Sequence, residues 1–168
     1  AKALADDARA LLQVEGLTNL RLLNRYDVSG ISEELFEEAT RTIFSEPQLD
    51  TVFADLPEVA GAHVFAVEYQ PGQFDQRADS AAQCIQILSQ GERPLVRNAR
   101  VYLLEGDLSD ADVEAIKNHV INPVEAREAA LEPVTTLDQT HPDPQPVAIV
   151  SGFRDLDQDG LVELQGAY

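Results

Sequence analysis

The sequence predicts an α+β fold: two β-α-β-α units in tandem, the first without its leading strand, pairing into antiparallel sheet with helices packed on one face. Three observations predict it. Strand-like runs alternate with longer segments of helical apolar spacing. Serines at helix-start positions, Ser32 and Ser109, each precede an apolar stripe. The two stripes repeat, because Ser32, Phe36, Ala39, Ile43 and Phe44 each stand 77 positions before Ser109, Val113, Ile116, Val120 and Ile121. A repeat of this kind marks one supersecondary unit used twice.

The elements follow in order. Ala1 to Gln13 reads as a helix, since Leu4, Ala8, Leu11 and Leu12 share a face and Gly16 offers a stop. Leu20 to Tyr26 reads as a strand. Ser32 caps the next helix, with Glu33 and Glu34 at its positive end and Pro47 closing it. Pro47 to Gly61 is an acidic, proline-containing connection. His63 to Tyr69 alternates as a strand, and Pro71-Gly72 turns the chain. Asp75 to Gln90 forms a helix with Ala78, Ala81, Ala82, Ile85 and Leu88 available for burial, and Gly91 ends it. Ala99 to Glu105 is the next strand. Ser109 then caps a helix that ends at Pro123, with Asp112 placed as a short capping-box acid.

The same logic extends upstream. The helix at Ala3–Leu12 resembles Asp79–Leu88, and Arg21-Leu22 resembles Arg100-Val101. The second unit opens with the strand at His63. The counterpart in the first unit would precede Ala1, so the chain reads as a piece of a longer polypeptide with an unpaired sheet edge. After Leu131 the texture changes. Pro133, Pro142, Pro144 and Pro146 favour extended, weakly packed chain. The expected division is a tandem-repeat domain over 1–131, a linker over 132–146 and the start of another module over 147–168, with a short strand at Val147–Val150.

Composition narrows the function classes. The chain has 168 residues, 44% hydrophobic and 25% charged, which suits a packed core. Twelve Lys and Arg face thirty Asp and Glu, a net charge of −18. A surface that acidic repels nucleic-acid phosphates and anionic lipid heads, so neither nucleic acid nor membrane is an expected partner. No apolar run has the length of a spanning helix. The lone Cys84 forms no internal disulfide and fits a reducing cytoplasm.

Candidate sites are few. Asp155, Asp157 and Asp159 with Gly160 carry the opening pattern of an EF-hand calcium loop. Position twelve of that loop is Gly166 rather than a bidentate Glu, so a solvated acidic turn before a helix is the preferred reading and no metal is expected. Cys84 lies well inside a helix and reads as a packed cysteine rather than a nucleophile. His63, His119 and His141 have no ligand spacing. The run Gln73 to Cys84 is the unusual one. Asp75 suits a helix start, while Arg77, Asp79 and Gln83 are polar among small alanines that permit close approach of another backbone. A docking surface and a tightly packed capped helix are both compatible with it.

That run, following Pro71-Gly72, resembles the N-terminal region of phosphoribosylformylglycinamidine synthase in its long single-chain, clostridial-type form. Asn24-Arg25-Tyr26-Asp27, Phe44-Ser45-Glu46-Pro47, Gly91-Glu92-Arg93-Pro94 and Ile121-Asn122-Pro123-Val124-Glu125 fit the same family in the same order. The resemblance implies a PurS-like domain, two fused copies of a small α+β unit, followed by the start of a linker domain. It implies a parent enzyme that makes an amidine from formylglycinamide ribonucleotide with ATP, magnesium and glutamine in purine synthesis. The family's catalytic loop, nucleotide site and glutaminase cysteine have no match here, so no catalytic residue and no cofactor is assigned to this segment. The resemblance implies instead a scaffold that holds synthetase and glutaminase domains of the same polypeptide, with Gln73, Asp75, Arg77, Asp79 and Gln83 as interdomain contacts. The alternative is a free-standing interaction module that pairs through its edge strand, as in a homodimer.

Overall fold

A computed structural model describes residues 1–132, 134–137, 150 and 152–167. Its described residues form a mixed α+β fold around one four-stranded antiparallel sheet. Helix α1 (Lys2–Ala10) leads into β1 (Leu17–Ser29). Helix α2 (Glu33–Ala39) continues into a π-type turn, Thr40–Phe44. Then come β2 (His63–Tyr69), α3 (Gln76–Ser89), β3 (Leu95–Gly106), α4 (Asp110–Val120) and β4 (Ala126–Ala129). A 3-10 turn at Phe153–Asp155 precedes α5 (Gln158–Ala167). The sheet order is β1-β3-β2-β4.

The long β1–β3 pair is the spine, in one register from Ser29 opposite Leu95 to Asn19 opposite Glu105, with a bulge at Thr18 before Leu17 meets Gly106. Alternation sorts its residues onto two faces. One face carries Leu20, Leu22, Phe65, Val67, Tyr102 and Leu104, which pack with Ala5 and Ala8 of α1 and Val113 and Ile116 of α4. Further along the same face, Tyr26, Asn98 and Arg100 lie opposite α3. The three helices therefore share one side of the sheet. Ala66, Ala99, Val101 and Ala129 form a second buried cluster on the other side, with Leu23 and Val64 against it. On that side Arg25 binds Asp27 at 3.0 Å and donates to the Ala130 carbonyl at 2.6 Å, tying β1 to the chain that leaves β4.

The helix starts hold as the sequence predicts. Ser32 and Ser109 adopt nearly the same extended backbone, φ −77° and ψ 163° against φ −79° and ψ 162°. Each hydroxyl accepts the N–H three residues on, from Leu35 and from Asp112. Asp112 completes the box by accepting the Ser109 N–H at 2.9 Å. Ala39 and Ile116, matched in the repeat, are both fully buried. Phe36 is not the counterpart of Val113 in packing: it is 41% exposed, while Val113 is buried. The stripe drifts because the helix gives way to the π-type turn, which turns Phe44 to stack on Tyr26 at 4.6 Å.

Other boundaries differ for identifiable reasons. Helix α1 ends at Ala10, not Gln13. Gln13 takes a left-handed φ of 59°, and the early turn brings Val14 and Leu17 into the core while Leu11 stays outside. Gln90, rather than Gly91, supplies the left-handed residue that ends α3. Strands β1 and β3 run beyond Leu20–Tyr26 and Ala99–Glu105, because their ladder recruits polar residues such as Asn19, whose amide donates to Glu105 at 2.9 Å. Gly16 and Gly106 permit the close crossing at the end of that ladder. A Cβ on Gly16 would strike the Asp107 carbonyl, and one on Gly106, at φ +141°, would strike the Gly16 carbonyl. Strand β4 is an element the sequence reading missed. Ala-Arg-Glu-Ala has no strand preference of its own, and its pairing with β2 imposes the conformation. Residues 147–149 of the expected short strand, and most of the 132–146 linker, lie outside the described residues, and Val150 is not in a strand. No helix among the described residues is long and apolar enough to cross a membrane.

Candidate functional site

The run Gln73 to Cys84 spans the turn after β2 and the first turns of α3. Asp75 is the N-cap of α3, its Oδ1 accepting the N–H groups of Arg77 and Ala78, each at 3.0 Å. The carboxylate thus meets two orphan donors at the positive end of the helix. Arg77 projects from the first turn and donates Nη1–H to the Tyr26 hydroxyl at 3.2 Å. That hydrogen bond, with the nearby Asp75 charge, holds the Arg77 guanidinium in its protonated form above its ordinary range. Asp79 is occupied on both oxygens. Arg93 binds Oδ1, and the Gln83 amide donates to Oδ2 at 3.1 Å. Arg93 also donates to the Asp79 carbonyl at 3.1 Å, fastening the loop after α3 back onto the helix.

The alanines that suggested close approach are used within the chain. Ala78, Ala81, Ala82 and Ile85 are all buried. The surface α3 leaves outward includes Gln76, Arg77, Ser80, Gln83 and Ile87, with Phe74 just before it 70% exposed. Cys84 corrects the sequence reading. It is exposed rather than packed, because Ala81, Ala82 and Ile85 take the inward arc and position 84 falls outside it.

Two adjoining clefts open here. A smaller one, about 240 Å³, is lined by Gln73, Phe74, Asp75 and Asp79 together with Tyr69 and Arg97. A larger one, about 530 Å³, runs between α3 and the sheet and is lined by Tyr26, Tyr69, Arg77, Asn98 and Arg100, with Cys84 at its wall. The structure thus gathers Gln73, Asp75 and Asp79 around one cleft and places Arg77 on the next. Gln83 lines neither and serves as a strut for Asp79. Sequence reasoning missed Tyr26, Tyr69, Asn98, Arg97 and Arg100. The available signal was strand alternation: Asn98 and Arg100 are polar at positions that continue the inward series of Tyr102 and Leu104.

The acidic turn near the C-terminus is a helix start. Asp157 caps α5, its Oδ1 accepting the Gly160 N–H at 2.9 Å and its carbonyl accepting Leu161 N–H at 3.0 Å. Asp155 closes the 3-10 turn and Asp159 lies in the first turn of α5. Among the described residues, no three His, Cys, Asp or Glu side chains converge on a point where a metal ion would sit.

No family model, curated protein or solved structure matches the chain.

Proposed function

We propose that this chain is a noncatalytic PurS-like scaffold segment of a cytoplasmic phosphoribosylformylglycinamidine synthase. In this reading two tandem α+β units hold the ATP- and magnesium-dependent synthetase and the glutaminase of the same polypeptide in register, so that ammonia passes between them. The support is the sequence run from Gln73 to Cys84 and its placement. The observation that carries the reading is that this run forms a capped helix start at which Gln73 and Phe74 are exposed, while Arg77 reaches across to the Tyr26 hydroxyl. Asp75 and Asp79 are committed to holding it, through the helix N-cap and through Arg93 and Gln83. A capped base with an exposed aromatic and, at Gln73, an amide without a partner among the described residues suits contact with a partner surface. The connection between the π-type turn and β2 adds Leu49, Val52, Phe53 and Leu56, all at least 40% exposed.

The test is Phe74→Ser in the parent enzyme. Phe74 is mostly outside the fold, so its loss spares stability. Glutamine-dependent amidine formation should fall at least tenfold while turnover with free ammonia is kept. Unchanged glutamine-dependent turnover would remove this surface from the coupling role.

One observation favours a second reading, the free-standing module. Among the described residues, strand β1 pairs only with β3, so the other side of a thirteen-residue strand is a sheet edge. Arg9 covers its start by donating to the Leu17 and Thr18 carbonyls at 3.0 and 3.1 Å. Among the described residues the remainder of that edge has no strand partner. A Val28→Pro chain that stays folded but loses a concentration-dependent dimer would favour this second reading over the first.

A further inference from the structure

We propose that the cleft between α3 and the sheet, walled by Tyr26, Tyr69, Arg77, Asn98 and Arg100, binds a small ligand through a phosphate group.

In a chain of net charge −18, carboxylates far outnumber basic side chains. Arg9, Arg25, Arg93, Lys117 and Arg127 each hold one within 4 Å. Among the described residues Arg77 and Arg100 are two of the seven that hold none, the others being Lys2, Arg21, Arg41, Arg97 and Arg154, and these two line one cleft together. Arg77 spends a single N–H on Tyr26. The Arg100 side chain has no hydrogen-bond partner among the described residues, so its donors are free. A guanidinium presents a planar fork that matches two oxygens of a tetrahedral oxyanion, and two forks on opposite walls suit a dianion better than a carboxylate.

The rest of the lining agrees. The Tyr69 and Ser80 hydroxyls have no partner among the described residues and are available to donate. Tyr26 accepts from Arg77, which leaves its own hydroxyl hydrogen to point at a bound anion. Its ring is stacked on Phe44, so this donor is held in place. Asn98 is likewise fixed, donating its amide to the Arg25 carbonyl at 2.9 Å. One acid lines the cleft, Asp75, and its Oδ1 is turned toward the α3 amides. The volume, about 530 Å³, exceeds what a bare phosphate fills and lies within the range of small-molecule sites. Tyr69 and Ile43 offer an apolar wall for the remainder of the ligand.

The overall acidity of the chain sharpens the argument. Its long-range field disfavours loosely held anions, so occupancy must come from short-range contacts in the cleft. The site shares Arg77 with the scaffold reading, but its test rests on Arg100, which that reading does not use, so the two fail separately.

The experiment is an NMR titration of the 168-residue chain with inorganic phosphate and with pyrophosphate, against sodium chloride at matched ionic strength. Saturable shifts at Ser80, Cys84 and Asn98 amides are expected with the phosphates alone. Arg100→Ala and Arg100→Gln should weaken binding at least tenfold with unchanged thermal unfolding, and Lys2→Ala should leave it unaltered. Slower alkylation of Cys84 in the presence of pyrophosphate gives an independent readout. A parallel arm uses vesicles containing phosphatidic acid. Binding to vesicles without binding to free phosphate would overturn the small-ligand proposal in favour of a lipid headgroup. Shifts that chloride reproduces, or that survive in both Arg100 variants, would overturn the site altogether.

Discussion

Ile116 shows what one residue contributes. It is fully buried among Val113, Phe65, Tyr102 and Ala8. Ile116→Ala removes three carbons from a site walled by a helix and a sheet, and should cost about 2–5 kcal/mol in chemical denaturation. Lys117, one position on, acts through charge. Its ammonium lies 5.6 Å from the Phe65 ring centre and 3.0 Å from Glu128, with Glu114 at 3.3 Å. The Glu128 hydrogen bond raises the Lys117 pKa above its ordinary value. A raised lysine pKa stabilises fully below the unfolded value and is lost as pH rises through the folded one. The stability gap between the native chain and Glu128→Gln should therefore be constant through neutral pH and close at strongly alkaline pH. Glu128 is half exposed, so that gap is at most about 1 kcal/mol. A gap that closed near pH 7 would contradict this assignment. Gly106 is the third residue of note. Its positive φ and the Gly16 carbonyl leave no room for a Cβ, so Gly106→Ala should destabilise by more than about 2 kcal/mol.

At the scale of elements, much was legible and the reasons are specific. Ser32, Ser109 and Asp75 announce helix starts because short polar side chains meet orphan amides there and nowhere else so well. Ser109→Ala should cost about 1 kcal/mol, measured by urea denaturation, with Ser32→Ala comparable if the two caps are equivalent. A Ser32→Ala effect near zero beside a full Ser109→Ala effect would mark the first helix as weakly coupled to the core. Asp112 adds a pH signature. Its hydrogen bonds from Ser109 lower its pKa, so its contribution is present above the unfolded carboxyl pKa and disappears as pH falls through the folded one. The elements that escaped the sequence are those that tertiary structure imposes. Strand β4 has helix-forming residues held extended by β2 and by the Arg127–Glu68 pair at 2.7 Å. The π-type turn after α2 follows a stripe that continues at helical spacing, and the stacking of Phe44 on Tyr26 decides it. Cys84 was misplaced because one position along a helix separates the buried arc from the exposed one.

Across the whole molecule, the α+β class was legible from periodicity, and the placement of helices on one sheet face from the repeated β-α-β-α pattern. The candidate site did not. Gln73, Asp75, Arg77, Asp79 and Gln83 are close in sequence, so their proximity was legible. Tyr26, Asn98 and Arg100 come from strands β1 and β3, which only the sheet register brings opposite α3. The account's central claim is that this segment couples two distant active sites and performs no chemistry itself. The most direct measurement is complementation: the parent enzyme lacking the residues equivalent to 1–131, with this chain added in trans, assayed for amidine formation with glutamine and with ammonia. The account predicts that the added chain restores the glutamine-driven reaction while the ammonia-driven reaction proceeds without it. Tight binding that restores neither reaction would contradict the account and leave a passive interaction module.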